Sequence, residues 1–215
     1  MYDALEKDAV LFEEGLSVDG THRLTRLLRG LQLCAGYLPD EESGELRWIH
    51  HTKTDAILAD LAEPLASDER IVISYLFTPS GQKLYEAVAR RYGKEAVEWV
   101  YGDTKNAAEI LRRFDVNNTS TTDLLRVVVL QEQVGGVGIS LARARHLFFH
   151  SWSMDSAAHE QMRLRIWTPS KVSNISYYTM KHSADGYALK IVQDKLNASV
   201  MKKPGGLAYA FRGGI

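Results

Sequence analysis

Short apolar runs alternate with amphipathic segments along most of this chain. The run at 71–77 is apolar except for Ser74, and the run at 126–131 is apolar between Arg126 and Gln131, which is typical of strands buried on both faces of a sheet. Five runs predict strands, at 71–77, 97–102, 126–131, 146–151 and 174–180. The segments that follow them carry apolar residues at helical spacing and predict helices, at 80–92, 105–114, 155–167 and 184–197.

This alternation predicts an α/β fold, a three-layer sandwich in which helices cover both faces of a mainly parallel central sheet. Two amphipathic helices precede the first strand, at 21–37 and 54–66, with a polar loop at 39–45 between them. We expect three regions: an N-terminal helical segment at 1–66, an α/β lobe at 67–197 and a flexible basic tail at 198–215. In such sheets, ligands bind at the carboxyl ends of the strands.

The composition excludes several classes of protein. No apolar run is long enough to cross a bilayer, and the acidic N-terminal sequence is unlike a secretory signal peptide. Cys34 is the single cysteine, so the chain forms no intramolecular disulfide and fits a reducing cytoplasm. The seven histidines match no metal-binding spacing, so we expect no metal site from them.

Charge is distributed unevenly along the chain. The 215 residues carry a net charge of −1, whereas residues 141–215 hold 11 Lys and Arg against 4 Asp and Glu, a net charge of +7. A basic third of this kind indicates contact with a polyanion such as nucleic acid, or else only a polarised surface.

Three glycines follow the strand predicted at 126–131. Gly135, Gly136 and Gly138 have no Cβ, so their backbone N–H groups can approach an anion closely. Tight turns use the same residues, so the loop alone does not separate an anion site from a turn.

A glutamine and two arginines lie on the helix predicted at 155–167. Gln161 and Arg165 are four residues apart and share one face of that helix, while Arg163 points elsewhere and is expected to be solvated. A guanidinium at Arg165 can stabilise the charge that develops on a transferred phosphoryl group. The alternative is that this face is simply solvated.

Thr104 and Lys105 follow the strand predicted at 97–102. A hydroxyl and an ammonium beside the first turn of a helix suit a nucleic-acid phosphate. The alternative, which does not exclude the first, is that Asp103 or Thr104 is an ordinary helix N-cap.

In this order, the segments resemble the second RecA-like lobe of superfamily 2 helicases, in particular the SWI/SNF-type double-stranded DNA translocases. Gln32 and Gly36 fit the family's L-x-x-x-L-R-x-x-Q-x-x-x-G-[FY] helix, and Lys53 opens a segment similar to its K-x-x-x-L-x-x-L-L helix. Further matches are motif IV at 70–88, the G-x-[ST] segment at 102–114, motif V at 135–144, the Q-x-x-x-R start of motif VI at 161–165 and a strand at 176–178. The resemblance covers residues 2–195.

The resemblance implies a lobe of an ATP-dependent DNA helicase or translocase. Its cofactors would be ATP and Mg²⁺, bound only together with a first lobe, because this sequence contains no G-x-x-x-x-G-K-[ST] phosphate-binding motif. The residues that the resemblance assigns to the nucleotide are Gly136, Gly138, Gln161 and Arg165, with Arg165 as the catalytic cation.

The implied partners are DNA and the other half of the motor. The resemblance places Thr104, Lys105 and Gln131 along the phosphates of double-stranded or branched DNA. The sequence begins near Tyr2 with a pattern similar to the opening of a second lobe, so we expect a first RecA-like lobe on another chain or in a missing part of this chain. Compact split forms of this kind are most familiar from bacteriophages.

Two departures from the family pattern concern motif VI and the strand before it. Thr168 stands where the second arginine of R-x-x-R-x-G-Q is expected, and His150 and Ser151 precede Trp152 where the family has an acidic residue. We expect no ATPase activity from the chain alone. The alternatives are a non-catalytic DNA-binding or regulatory module derived from a helicase lobe and, ranked last, a small-molecule nucleotide-binding protein.

Overall fold

A parallel five-stranded sheet forms the centre of the structure, a computed structural model that describes residues 20–40, 43–118, 120–136 and 138–201. Its strands are β3 (Arg70–Tyr75), β4 (Val97–Val100), β5 (Val127–Gln131), β6 (Ala144–Phe149) and β7 (Asn174–Tyr177). Their order across the sheet is β4-β5-β3-β6-β7, and every neighbouring pair is parallel. A small antiparallel hairpin of β1 (Tyr37–Pro39) and β2 (Leu46–Trp48) precedes the sheet.

Seven helices are present in the described part of the chain. They are α1 (Gly20–Cys34), α2 (Thr52–Asp60), α3 (Ala62–Ala66), α4 (Thr78–Tyr92), α5 (Ala107–Arg112), α6 (Ser156–Ile166) and α7 (Ala184–Met201). The single helix predicted at 54–66 is wrong, because the structure divides it at Leu61 into α2 and α3. Pro64 has no N–H with which to donate to Asp60, so it cannot continue a regular helix through this point.

The side chains of the strands alternate between two cores, one on each face of the sheet. Val72 and Val128 face the first core, which is covered by α1, α5, α6 and α7. Ile71 and Ile73 face the second core, which is covered by α2 and α4. This arrangement confirms the predicted three-layer α/β sandwich with a parallel central sheet, the architecture of a RecA-like lobe.

The first and last described helices pack against each other. Leu31 of α1 shares the first core with Ala188 and Val192 of α7. The two backbones are close, since a Cβ built on Gly30 would lie 3.0 Å from the Cβ of Ala184. The predicted boundaries at 66 and 197 stay predictions, and most of the predicted tail lies outside the described residues.

Cys34 is buried at the end of α1, as its apolar surroundings predict. None of the described helices is long and apolar enough to span a bilayer.

Candidate functional site

The glycine loop and α6 meet in one shallow depression, which we call the loop–α6 pocket. It measures about 350 Å³ and is lined by Gly138, Ile139, Ser140, Gln161, Leu164 and Arg165. The structure thus brings together three residues that the sequence assigns to a nucleotide, Gly138, Gln161 and Arg165. Gly136, the fourth, ends the short 3₁₀ helix Glu132–Gly136 that leads into the loop.

The loop reaches the pocket because β5 ends at Gln131 and the 3₁₀ helix then turns the chain toward α6. Gly138 is exposed, and a Cβ built there meets no atom within 4 Å. The Leu141 N–H donates to the backbone carbonyl of Arg165 over 2.8 Å, which ties the end of the loop to the end of α6. The space beside Gly138 is therefore open toward the pocket. The hydrogen bond between Leu141 and Arg165 holds the loop and α6 together beside it.

Arg165 supplies the positive charge of the loop–α6 pocket. The residue is partly buried, and this burial lowers the pKa of its guanidinium. A guanidinium with incomplete hydration gains more from an incoming anion than a fully solvated one does. At the other end of α6, the Asp155 carboxylate accepts from the Ala157 N–H over 2.9 Å and fixes the start of the helix.

These groups fit a phosphate but not a metal ion. An amide without a side chain in front of it, the Ser140 hydroxyl, the Gln161 amide and the Arg165 cation are ordinary phosphate ligands. In the part of the chain that the structure describes, there is no group of three or more His, Cys, Asp or Glu residues able to hold a metal ion. The described lining residues therefore offer groups that suit a phosphate and include no carboxylate, imidazole or thiol ligand for a metal ion.

The residues assigned to DNA lie together at the carboxyl ends of β4 and β5. The Tyr101 N–H donates to the Thr104 hydroxyl over 3.0 Å, and the Gly102 N–H donates to the Gln131 side-chain oxygen over 3.1 Å. Lys105 is exposed beside them. Thr104 and Gln131 thus hold this edge in shape, and Lys105 projects from it.

The N-cap interpretation of Asp103 or Thr104 is wrong. Helix α5 begins at Ala107 with Asn106 at the N-cap position, and no side chain caps it. The Thr104 hydroxyl is used instead within the turn that precedes Asn106. Arg163, which was expected to be solvated, is partly buried.

The segment after α6 turns its cation away from the loop–α6 pocket. Thr168 pairs with Lys171 in an isolated antiparallel bridge. The Lys171 ammonium donates to the backbone carbonyls of Ala142 and Ala144, at the amino end of β6. The Lys171 side chain is therefore bound to backbone carbonyls and adds no charge to the loop–α6 pocket.

A buried carboxyl group behind the glycine loop was missed from the sequence. Glu132 Oε2 accepts from the Ser153 N–H over 2.6 Å, and Oε1 lies 3.9 Å from Nδ1 of His159 on α6. His159 Nε2 in turn lies 2.8 Å from the Tyr177 hydroxyl. Burial raises the pKa of Glu132 to about 7 and lowers that of His159 to about 4. The sequence shows only a glutamate directly after an apolar strand. Glutamates on the protein surface occur in that position equally often, so the pattern does not identify a buried carboxyl group.

Glu132→Gln is expected to stabilise the protein at pH 8 by about 2 kcal/mol and to change it little at pH 5. An unfolded glutamate ionises near pH 4.5, whereas Glu132 in the folded protein ionises near pH 7. Between these values the folded state holds the additional proton, so stability falls as pH rises toward 7 and the penalty remains above it. Glutamine carries no such penalty, and urea unfolding at both pH values measures the difference.

The matched control for this substitution is Glu109→Gln, on the exposed surface of α5. It should change the free energy of unfolding by less than about 0.5 kcal/mol at either pH. A Glu132→Gln protein with the same shift at pH 5 and pH 8 would contradict the buried, late-ionising carboxyl.

A second site missed from the sequence is a buried ion pair that joins α2 to α7. Lys53 Nζ lies 2.5 Å from the Asp185 carboxylate and also donates to the carbonyl of His150 over 3.0 Å. The same carboxylate accepts from the Met180 N–H over 3.0 Å. His150 is buried beside this pair, and burial lowers its pKa to about 3, so it is a neutral core histidine.

Comparison with known proteins supports the fold. No model of a known protein family matches the chain. It is 28% identical over 106 residues to the protein named "Putative helicase 172L" of Invertebrate iridescent virus 6, a match that covers 49% of this chain and 17% of that protein.

Solved structures with a similar fold include two of a SWI2/SNF2 ATPase core and one of part of another ATPase domain. The core domain from Sulfolobus solfataricus superposes with a TM-score of 0.59 at 19% identity, covering 94% of this chain and 40% of that one. Its complex with double-stranded DNA gives a TM-score of 0.57 at 23% identity, covering 83% and 37%. The C-terminal part of the Fun30 ATPase domain gives 0.56 at 19% identity, covering 72% and 48%.

The chain spans less than half the length of each of these proteins. The fold similarity includes a structure that is itself a C-terminal part of an ATPase domain. The predicted resemblance to the second RecA-like lobe of SWI/SNF-type proteins is therefore confirmed at the level of the fold.

Proposed function

We propose that this chain is the second lobe of an ATP-dependent DNA translocase and completes its motor with a first lobe. The observation that carries the proposal is the loop–α6 pocket, in which Gly138, Gln161 and Arg165 converge on an open space within a SWI2/SNF2-like fold. Arg165 would stabilise negative charge on the terminal phosphate, and Gln161 would hold the phosphate in line with it. The amides of Gly136 and Gly138 would donate to phosphate oxygens.

ATP with its Mg²⁺ supplies the phosphoryl bond whose cleavage drives movement between the lobes. The phosphate-binding lysine and the metal ligands would come from the first lobe. This chain's own contribution is to bind and orient the phosphates from the opposite side, and to close the cleft over them.

DNA would lie along the carboxyl ends of β4 and β5. Lys105 is exposed there and would contact a backbone phosphate, while Thr104 and Gln131 keep the two loops in register. The proposal is supported by a neighbouring structure of the same fold that is bound to double-stranded DNA. Such contacts are sequence-independent and weaken as salt rises.

Complementation tests the proposal directly. The chain is mixed with a first RecA-like lobe that carries a phosphate-binding loop, and ATP turnover is measured with and without duplex DNA. We expect DNA-stimulated turnover only when both proteins are present. The first lobe alone is the control.

One observation favours a second candidate function, a non-catalytic DNA-binding or regulatory module. Thr168 offers no guanidinium, and the nearby Lys171 donates to backbone carbonyls instead of facing the loop–α6 pocket. If DNA binding persists but mixing with the first lobe gives no gain in turnover, this second function is the correct one.

Gly138→Ala is expected to lower turnover of the complemented motor about tenfold and to change the free energy of unfolding by less than about 1 kcal/mol. The new methyl group has no atom of the described residues within 4 Å, its chain neighbours aside, but it enters the space where a phosphate would bind. Steady-state ATP turnover and urea unfolding measure the two effects.

Gly186→Ala is the matched control, because a Cβ there also meets no atom within 4 Å. Gly186 lies inside α7, so alanine should stabilise the protein by about 0.5–1 kcal/mol and leave turnover unchanged. Equal turnover in the Gly138→Ala motor and the unchanged motor would count against the phosphate-facing role of the loop.

A further inference from the structure

A second pocket lies at the amino-terminal edge of the sheet, opposite the edge that carries Thr104 and Lys105. It measures about 290 Å³ and lies where β3 and β6 begin. Its charged lining residues are Arg70, Arg143, Arg145, Lys171, Asp68 and Glu69. We call it the amino-edge pocket.

The cations of the amino-edge pocket are held mainly by neutral backbone carbonyls. Arg143 donates to the carbonyls of Arg113 and Ser120 over 3.2 and 3.1 Å. Lys171 donates to two carbonyls near the start of β6, and Arg70 donates to the carbonyl of Leu125. Arg70 also lies 3.5 Å from the Asp123 carboxylate. The carbonyls around Arg143 and Lys171 fix these two side chains but bring no negative charge to balance them.

The two carboxylates of the pocket are engaged by Arg126, by the imidazole of His146 and by Arg145, which itself lines the pocket. Asp68 lies 2.5 Å from the guanidinium of Arg126. Glu69 lies 2.7 Å from His146 and 3.4 Å from Arg145. The four lining cations outnumber Asp68 and Glu69, but Arg70 and Arg145 are already paired with carboxylates. The excess positive charge of the pocket therefore lies at Arg143 and Lys171, whose partners named above are carbonyls.

The pKa values of the lining cations agree with this excess. Burial and then the neighbouring Arg143 lower the pKa of Arg70 to about 10, in spite of the Asp123 carboxylate beside it. Burial and then Arg145 lower the pKa of Lys171. Fixed like charges in a partly dry pocket are costly, and an anion from outside relieves that cost.

We propose that the amino-edge pocket binds a phosphate group. Several fixed guanidinium and ammonium groups approaching from different sides match the oxygens of a tetrahedral oxyanion better than a flat carboxylate. The phosphate can belong to a nucleic-acid backbone or to a free phosphate compound, and both present the same chemistry. The proposal does not depend on ATP chemistry, because no residue that lines the amino-edge pocket also lines the loop–α6 pocket.

The test follows backbone amide resonances of the ¹⁵N-labelled full chain in low salt, with two separate probes. Inorganic pyrophosphate represents the free compound, and a short DNA duplex represents the nucleic-acid backbone. We expect saturable shifts at the amides of Arg143, Arg145 and Lys171. Shifts at Gly138 and Gln161 report the loop–α6 pocket and are counted separately, so the two sites succeed or fail independently.

Arg145→Ala is the variant to compare. The side chain is 54% exposed, so its removal should leave the fold intact. It should weaken binding at the amino-edge pocket about tenfold, the loss of one charge-assisted hydrogen bond. Arg90→Ala removes an exposed arginine from α4 and should leave that affinity unchanged.

Shifts at the pocket with pyrophosphate alone would support a site for free phosphate compounds, and shifts with the duplex would support a second contact for nucleic acid. The proposal is overturned by an absence of saturable shifts with both probes. It is equally overturned if Arg90→Ala weakens binding as much as Arg145→Ala, since binding would then depend only on overall charge.

Discussion

Arg165→Ala is expected to lower the DNA-stimulated ATP turnover of the complemented motor by about 10³-fold. The Arg165 guanidinium lines the loop–α6 pocket together with Gly138 and supplies the positive charge of that pocket. Charge that develops on the phosphate would lose its stabilising partner, so kcat should fall much more than KM rises. Thr168 cannot compensate, because it carries no charge.

Arg163→Ala is the matched control for this substitution, since it removes the same group from the same helix. Arg163 lies on another face of α6, so we expect less than about a threefold change in turnover. A larger loss with Arg163→Ala than with Arg165→Ala would show that the catalytic cation was assigned to the wrong arginine. Comparable losses would mean that both act through the stability of α6, which urea unfolding detects.

Lys53→Met is expected to lower the free energy of unfolding by about 3–5 kcal/mol. Lys53 and Asp185 are 3% and 1% exposed, so the substitution leaves a carboxylate buried without its cation. The carbonyl of His150 also loses its donor. A loss of this size is a large fraction of the 5–15 kcal/mol that stabilises an ordinary domain, and urea unfolding measures it.

Two further variants separate the buried charge from the loss of a side chain. Lys83→Met breaks an exposed pair with Glu86, with 3.4 Å between the charged atoms, and should cost about 0–1 kcal/mol. Adding Asp185→Asn to Lys53→Met removes the uncompensated charge and should recover part of the loss. A Lys53→Met protein as stable as the Lys83→Met protein would show that the Lys53–Asp185 pair does not contribute substantially to stability.

The strands of the sheet were predictable because their burial on both faces leaves a local trace. A strand in the centre of a parallel sheet is an unbroken apolar run, and β3 and β5 fall inside the runs at 71–77 and 126–131 apart from Arg70. The hairpin of β1 and β2 was not predicted, because β2 is only Leu46–Trp48 and is largely exposed. Three residues without a buried face carry no period from which a strand can be recognised.

The residues of the sites were likewise predictable only where their arrangement depends on local spacing along the chain. Gln161 and Arg165 were predicted to share a face because four residues make about one helical turn, and they line one pocket. The pairing of Lys53 with Asp185, and of Glu132 with His159, depends on how distant segments pack, which no local pattern encodes. The N-cap prediction at Asp103 or Thr104 failed because α5 begins only at Ala107, and the Thr104 hydroxyl accepts from the Tyr101 N–H within the preceding turn.

The contact between α1 and α7 joins two helices that the ribosome synthesises far apart in time. Leu31 and Lys53 are made early, yet their partners in α7 emerge only after the whole sheet has been translated. Until then, the Lys53 ammonium lacks its carboxylate partner, and the first core lacks the side chains of α7. The first core is therefore completed only when α7, the last described helix, has been made. A pause in translation before residue 184 would extend the period in which this core is exposed to proteases and aggregation.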